Sequence, residues 1–257
     1  MEILVIACVA FGTSVLTFFS GFGLGTILTP VMMSFFPPEI AIGLTAIVHL
    51  LNNLFKLALV GKNANFEVVK KFGIPAIIAA FAGAWVLGEI PAEHVLFTTN
   101  IGNQMRDVSV LKFVIALLLF VFAWIEFIPF LQNFKFSKNM LPVGGLLSGF
   151  FGGLSGNQGA LRSAFLIHAG LSKEALIGTT VILSCLVDFT RIGVYSTHLS
   201  TDVISENSTL LLAATIAAFA GAYLGNLWLK KVTLKFVQTL VAIAIMLLSI
   251  AFGLGLL

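Results

Sequence analysis

Charge is what this sequence has least of. Only 10% of its 257 residues are charged, against roughly 25% in a soluble domain. Not one charged residue occurs between Glu2 and Glu39. So little charge cannot coat a water-soluble globule, and soluble fold classes are excluded. Cysteine is scarce too: Cys8 and Cys185 both lie in apolar blocks, so neither a disulfide framework nor a thiolate metal site is supported. There is no Walker sequence, no paired set of metal ligands and no nucleophile elbow. No cofactor and no metal are therefore expected, and no enzyme. The opening MEILVIACVA lacks the basic leader and small-residue cleavage site of a signal peptide; we expect it to be part of a mature first helix. The net charge of +3 calls for no nucleic acid and is better explained by membrane orientation.

What is present is apolar length. The chain is 59% hydrophobic with a mean hydropathy of +1.08. Its charges sit in short clusters between apolar blocks of roughly twenty residues, the length that crosses a bilayer. Lipid cannot satisfy free backbone groups, so such blocks become helices. The blocks are continuously apolar rather than alternating, which argues against a β-barrel. The expected fold class is an all-α polytopic membrane protein.

The chain also repeats itself. Glu39-x-Ala-Ile-Gly-x-Thr-x-Ile returns at Glu174 as Glu-x-Leu-Ile-Gly-x-Thr-x-Ile; AAFAGAW (79–85) returns as AAFAGAY (217–223); LKFV (111–114) returns at 234–237. The order is the same in both copies. Two repeats follow, 1–131 and 140–257, joined by the polar linker QNFKFSKN (132–139). The shorter offset of the last match places an extra loop in the first repeat, around Glu89 to Asp107.

Each repeat opens on a block too long for one crossing. Residues 3–36 as a single helix would run ~50 Å at 1.5 Å per residue, against a core of ~30 Å. Glycine-rich breaks interrupt both opening blocks, SGFGLG (20–25) in one and LSGNQG (154–159) in the other. Each opening block is expected to be a hairpin of two short helices, followed by three transmembrane helices. If each hairpin returns to its starting side, Lys62, Lys70, Lys71, Lys135, Lys138, Lys230, Lys231 and Lys235 share one face, cytoplasmic by the positive-inside rule. Glu39, Glu89, Glu93, Asp202 and Glu206 take the other face, and Arg106 is the exception. Both termini then lie outside the cytoplasm, and the repeats are inverted with respect to each other.

Inverted repeats with broken helices are the architecture of secondary transporters, which bind substrate near the midplane. The tips are the first candidates for substrate binding: Gly21, Gly23 and Gly25 in one repeat, Ser155, Gly156, Asn157, Gln158 and Gly159 in the other. Glycine lets a ligand approach the backbone, and the helix after each tip offers its positive end to an anion. The same glycines would equally serve close helix packing. Arg162, just after the second tip, has Ile27 as its counterpart, so it breaks the symmetry and gives the site positive charge. Along the pathway, Thr45, His49, Asn52, Asn53 and Lys56 share one helical face. The equivalent stripe is Thr180, Ser184, Asp188 and Arg191. Asp188 and Arg191 are expected to pair. Lys56 and Arg191 are expected near opposite mouths, where they would steer an anion or simply snorkel. His168 is expected to be satisfied locally, and His94 and His198 to be loop residues.

The residues that carry this pattern resemble a known family. A broken segment SGFGLGTILTP, a Gly-x-Thr helix, and a second copy containing GFFGGLSGNQGALRS and IGTTVILS are similar to the TauE/SafE family of sulfite exporter-like permeases, also called the toluene-sulfonate uptake permease family. The resemblance covers nearly the whole chain. It departs at the first tip, GFGLG, which is less glycine-dense than in many relatives. The resemblance implies transport of sulfur oxyanions such as sulfite or organosulfonates across the bacterial cytoplasmic membrane, with the two tips forming the site. The expected partners are a small anionic substrate, membrane lipid, and a coupling proton or sodium ion, with His49 and Asp188 as the titratable candidates. The alternative is a channel for small anions or a neutral solute. Nothing in the sequence sets an oligomeric state.

Overall fold

The computed structural model describes residues 1–20, 23–91, 94–101, 104–127, 136–196, 200–228 and 234–256. Gly21, Glu93, Lys135, His198, Lys230, Lys231 and half of the 132–139 linker lie outside the described residues.

Helix α1 (Glu2–Ser20) and the short α2 (Gly25–Met33) make up the first opening block, followed by α3 (Pro38–Val60), α4 (Phe66–Gly88) and α5 (Val110–Phe127). The second opening block comprises α6 (Leu141–Ser155) and α7 (Gly159–Leu166), followed by α8 (Lys173–Tyr195), the short α9 (Thr201–Glu206), α10 (Ser208–Trp228) and α11 (Leu234–Gly253). By length and composition α3, α4, α8 and most of α10 can each cross a membrane. The protein is a helical, multi-pass membrane protein. The first opening block divides at its glycine-rich break into two helices of unequal length: α1 at 19 residues is ~28 Å long, and α2 has nine residues. One short strand pair accompanies the helices. The extra loop of the first repeat is an antiparallel hairpin, β1 (Val95–Ile101) and β2 (Gln104–Ser109). It is tied to the end of the chain by Thr99 Oγ1 donating to Leu254 O (3.0 Å) and Arg106 Nη1 donating to Leu256 O (2.8 Å).

Helix starts follow local chemistry. Pro37 and Pro38 open α3, where a missing N–H costs nothing. Ser172 accepts from the Ala175 N–H (3.1 Å) to cap α8, and Asn65 accepts from the Val68 N–H (3.1 Å) to cap α4. The Asn65 N–H in turn donates to Thr179 Oγ1 (2.9 Å), locking the start of α4 to the start of α8.

Packing pairs helices from the first and second halves of the chain. α3 lies against α8, and α5 against α11; α1 packs on α10 as α6 packs on α4; α3 also touches α10 as α8 touches α4. Small residues permit this. Gly145, Gly149 and Gly153 form one face of α6, where an added Cβ would overlap the carbonyl oxygens of Phe72, Ala76 and Ala80 on α4. The glycine of each AAFAGA copy plays the same part. Gly83 faces the Phe150 carbonyl, and Gly221 faces the Phe11 carbonyl.

The outside is as apolar as the inside. Ile74, Ile78, Phe81 and Trp85 form a stripe on α4, each at least 59% exposed. Leu212, Ile216, Tyr223 and Leu227 form another on α10, each at least 52% exposed. Contiguous patches of this size are untenable in water and are what lipid requires. Polar side chains have instead been gathered inward, along α3 and α8.

Candidate functional site

The centre of the protein is the α3–α8 crossing. α3 presents Thr45, His49, Asn52, Asn53 and Lys56 inward, α8 presents Ser184, Asp188 and Arg191, and none of these is more than 3% exposed. Their spacing puts them on one face of each helix; burial follows because the opposite faces are apolar. Thr180 departs from the expected stripe. It is only half-buried, while its neighbour Thr179 is fully buried and holds the α4 cap.

Asp188 is the hub. Its Oδ1 accepts from Arg191 Nε at 3.0 Å. Its Oδ2 accepts from His49 Nδ1 at 2.8 Å and Asn53 Nδ2 at 2.9 Å. The expected Asp188–Arg191 pair is therefore present, but it belongs to a network that also reaches across to α3. Asn52 Oδ1 accepts from Ser14 of α1 at 3.2 Å. Lys56 and Arg191 are both buried in the core, so neither snorkels. The Lys56 ammonium lies 5.6 Å from the centre of the Phe18 ring, a cation–π distance.

Both broken segments close on this centre. A Cβ added to Gly23 would lie 2.7 Å from His49 Nε2, and one added to Gly25 would lie 3.9 Å from Arg191 Nη2. From the other repeat, a Cβ on Gly156 would lie 2.6 Å from Arg191 Nη1. The Arg191 guanidinium thus sits between the two tips. Gly156 also ends α6 in the left-handed region, at φ 79°, where other L residues are strained. Gly159 is buried at the start of α7. Ser155 is turned back onto its own helix, donating to Phe151 O at 3.2 Å. Arg162 bridges the second tip to α8, with Nη1 donating to Gln158 Oε1 (3.1 Å) and to Ser184 Oγ (2.8 Å). The Gln158 carbonyl accepts from Ser148 at 3.1 Å. Behind the tip, Tyr195 donates to the Gly153 carbonyl.

Two properties set this cluster apart from an ordinary structural network. The first is charge. Lys56, Arg162 and Arg191 are buried here with one carboxylate, Asp188, among the described residues, so basic groups outnumber acidic ones. Burying unbalanced charge is costly, so the arrangement favours an anion. The second is unmet hydrogen bonding. Among the described residues, Arg191 Nη1, Asn52 Nδ2, Gln158 Nε2, Asn157 Oδ1 and the hydroxyls of Thr17, Thr26, Thr29 and Thr45 are buried without a partner. Native proteins leave few such atoms, and most of these are donors, suited to an oxyanion.

Sequence reasoning passed over Ser14, Thr17, Thr26 and Thr29, which sit in the least polar stretch of the chain, and Tyr195. The only signal was hydroxyls inside a block that already contained a glycine break. His168 is satisfied within its own segment, with Nδ1 3.4 Å from the Ala164 carbonyl, and His94 lies in the loop before β1.

Comparison with curated proteins and with solved structures finds no match in either set. The model of the sulfite exporter TauE/SafE family matches residues 6–252. That is nearly the whole chain, and the protein belongs to the TauE/SafE family.

Proposed function

We propose that the protein is a secondary transporter that moves a small sulfur-containing oxyanion, such as sulfite or an organosulfonate, across the bacterial cytoplasmic membrane by alternating access. Membership of the family supports a membrane transporter for anions of this kind. The observation that carries the substrate class is the excess of buried basic side chains, Lys56, Arg162 and Arg191 against Asp188, beside unmet donors. A sulfonate or sulfite presents several acceptor oxygens and negative charge at once, and so satisfies both.

The mechanism rests on two inverted repeats, 1–131 and 140–257, joined by a cytoplasmic linker at 132–139, with both termini outside. The exchange of equivalent partners supports it: α1 on α10 and α6 on α4, with α3 on α8 and α5 on α11 between them. A pseudo-two-fold axis through the α3–α8 crossing would relate these pairs and bring the tips together at Arg191. Rocking one repeat against the other would then open the anion site to either face in turn.

Arg162→Ala tests the reading. In proteoliposomes it should abolish sulfite or sulfonate flux while the protein remains folded by size-exclusion and thermal melting. Wild-type flux from the folded variant would remove Arg162 from the site. Single-channel currents without counterflow would replace the carrier by a channel.

A further inference from the structure

Among the described residues the first tip meets His49 at Gly23 and Arg191 at Gly25, and the geometry assigns the protons of the imidazole. Nδ1 lies 2.8 Å from Asp188 Oδ2. An imidazole nitrogen facing a carboxylate carries the hydrogen, so Nδ1 donates and Nε2 keeps its lone pair. Asn53 Nδ2 is 3.3 Å from both ring nitrogens. It lies across the ring rather than on either lone pair, and its in-line acceptor is Asp188 Oδ2. Nε2 is therefore left directed at the backbone of the first tip, where Gly23 has no side chain to come between.

The charged groups around the ring are few. α8 contributes Asp188 and Arg191, whose Nη2 is 3.5 Å from Nδ1. α3 itself contributes Lys56, within Coulomb reach. The first tip adds Gly23 and Gly25, neither of which titrates. Asp188 is held on both oxygens by three donors, and two of the cations are guanidinium groups that stay charged. His49 is the group facing Gly23 at the first tip whose charge can change, and the Lys56 ammonium is the other titratable group of the cluster.

We propose that His49 carries the proton that accompanies the anion: protonation of Nε2 and binding of the oxyanion at the first tip reinforce each other, so the two travel together. The inference rests on the anion-transport reading. The proton adds to the Nε2 lone pair from water on whichever side the site faces. Nδ1–H stays on Asp188, and no other bond changes. The new N–H points at the tip and adds a donor and a positive charge there. By reciprocity, the factor by which the proton tightens the anion is the factor by which the anion tightens the proton. The proton leaves when the anion does, on the other side.

The test uses methanesulfonate and sulfate, whose charges do not change over the pH range used; sulfite titrates and would confuse the result. Binding is measured by calorimetry on purified protein from about pH 8 to about pH 5.5, in buffers free of sulfonate and phosphate. Wild type should tighten as pH falls, by a total factor in the ~5–150 range typical of coupled sites. In folded H49Q, whatever its affinity, binding should no longer change with pH. In wild-type proteoliposomes, an inward proton gradient should concentrate the probe above its external level, which tests the idea even if H49Q fails to fold. Flat pH dependence in wild type, an unchanged slope in folded H49Q, or no accumulation on the gradient overturns proton coupling and leaves anion transport standing. No binding of either probe or of sulfite at any pH overturns both.

Discussion

Asp188→Asn keeps the shape of the hub, removes its charge and turns one acceptor oxygen into a donor. The carboxylate accepts three hydrogen bonds, from Arg191 Nε, His49 Nδ1 and Asn53 Nδ2. An amide has one oxygen and one NH2. If the oxygen stays on Arg191, the NH2 confronts two donors. His49 can change tautomer and accept, but the Asn53 amide hydrogen is then stranded, which costs ~1–3 kcal/mol for a buried group. Arg191, fully buried, also loses its counter-charge, and removing one partner of a buried ion pair costs ~3–5 kcal/mol. These are views of one event rather than separate terms, so the expected loss is about 3–5 kcal/mol. The excess of positive charge at the site rises by one, so an added oxyanion should recover more stability in the variant than in wild type. Reversible unfolding in mixed micelles, followed by tryptophan fluorescence with and without sulfate, measures both effects. A variant within about 0.5 kcal/mol of wild type, the range of a neutral surface change, and equally responsive to anion, would refute the reasoning.

The other predictions concern packing and the tips. Gly149→Leu should destabilise the α4–α6 contact by at least the ~1–3 kcal/mol of ordinary overpacking, because the obstruction is the Ala76 backbone rather than a movable side chain; a thermal melt unchanged from wild type would contradict that packing. Gly156→Ala should cost ~1–2 kcal/mol for the left-handed backbone and push against Arg191 Nη1, so that flux falls while the folded protein survives in detergent. Asn65→Ala removes the α4 cap, a loss of about 0.5–2 kcal/mol, and should lower the melting temperature without changing flux per folded molecule.

How much of this could be read from the chain differs by residue. The stripe Thr45–His49–Asn52–Asn53–Lys56 and its partner Ser184–Asp188–Arg191 were legible, because helical periodicity names a face and charge in an apolar block has to face inward. Periodicity does not say what a face meets. That His49 and Asn53 converge on Asp188, and that Arg191 reaches both tips, are facts of tertiary contact between separate segments of the chain. That Lys56 and Arg191 are covered rather than snorkelling was hidden for the same reason: distance from a block's end says little about burial when other helices cover that end. The hairpin Val95–Ser109 was visible only as an insertion. Thr26 and Thr29 were missed because a threonine in a membrane helix ordinarily bonds its own backbone, and here the described structure leaves both hydroxyls without a partner.

The central claim is that an oxyanion sits between the two broken segments, against Arg191. Selenate, a sulfate analogue with an anomalous signal, locates it directly when soaked into crystals of the wild-type protein. The account predicts one anomalous peak within hydrogen-bond reach of Arg191 Nη1, between Gly25 and Gly156, lost or weakened in Arg162→Ala. Selenate found only on the lysine-bearing surface, with the space between the tips closed to it, would contradict the account.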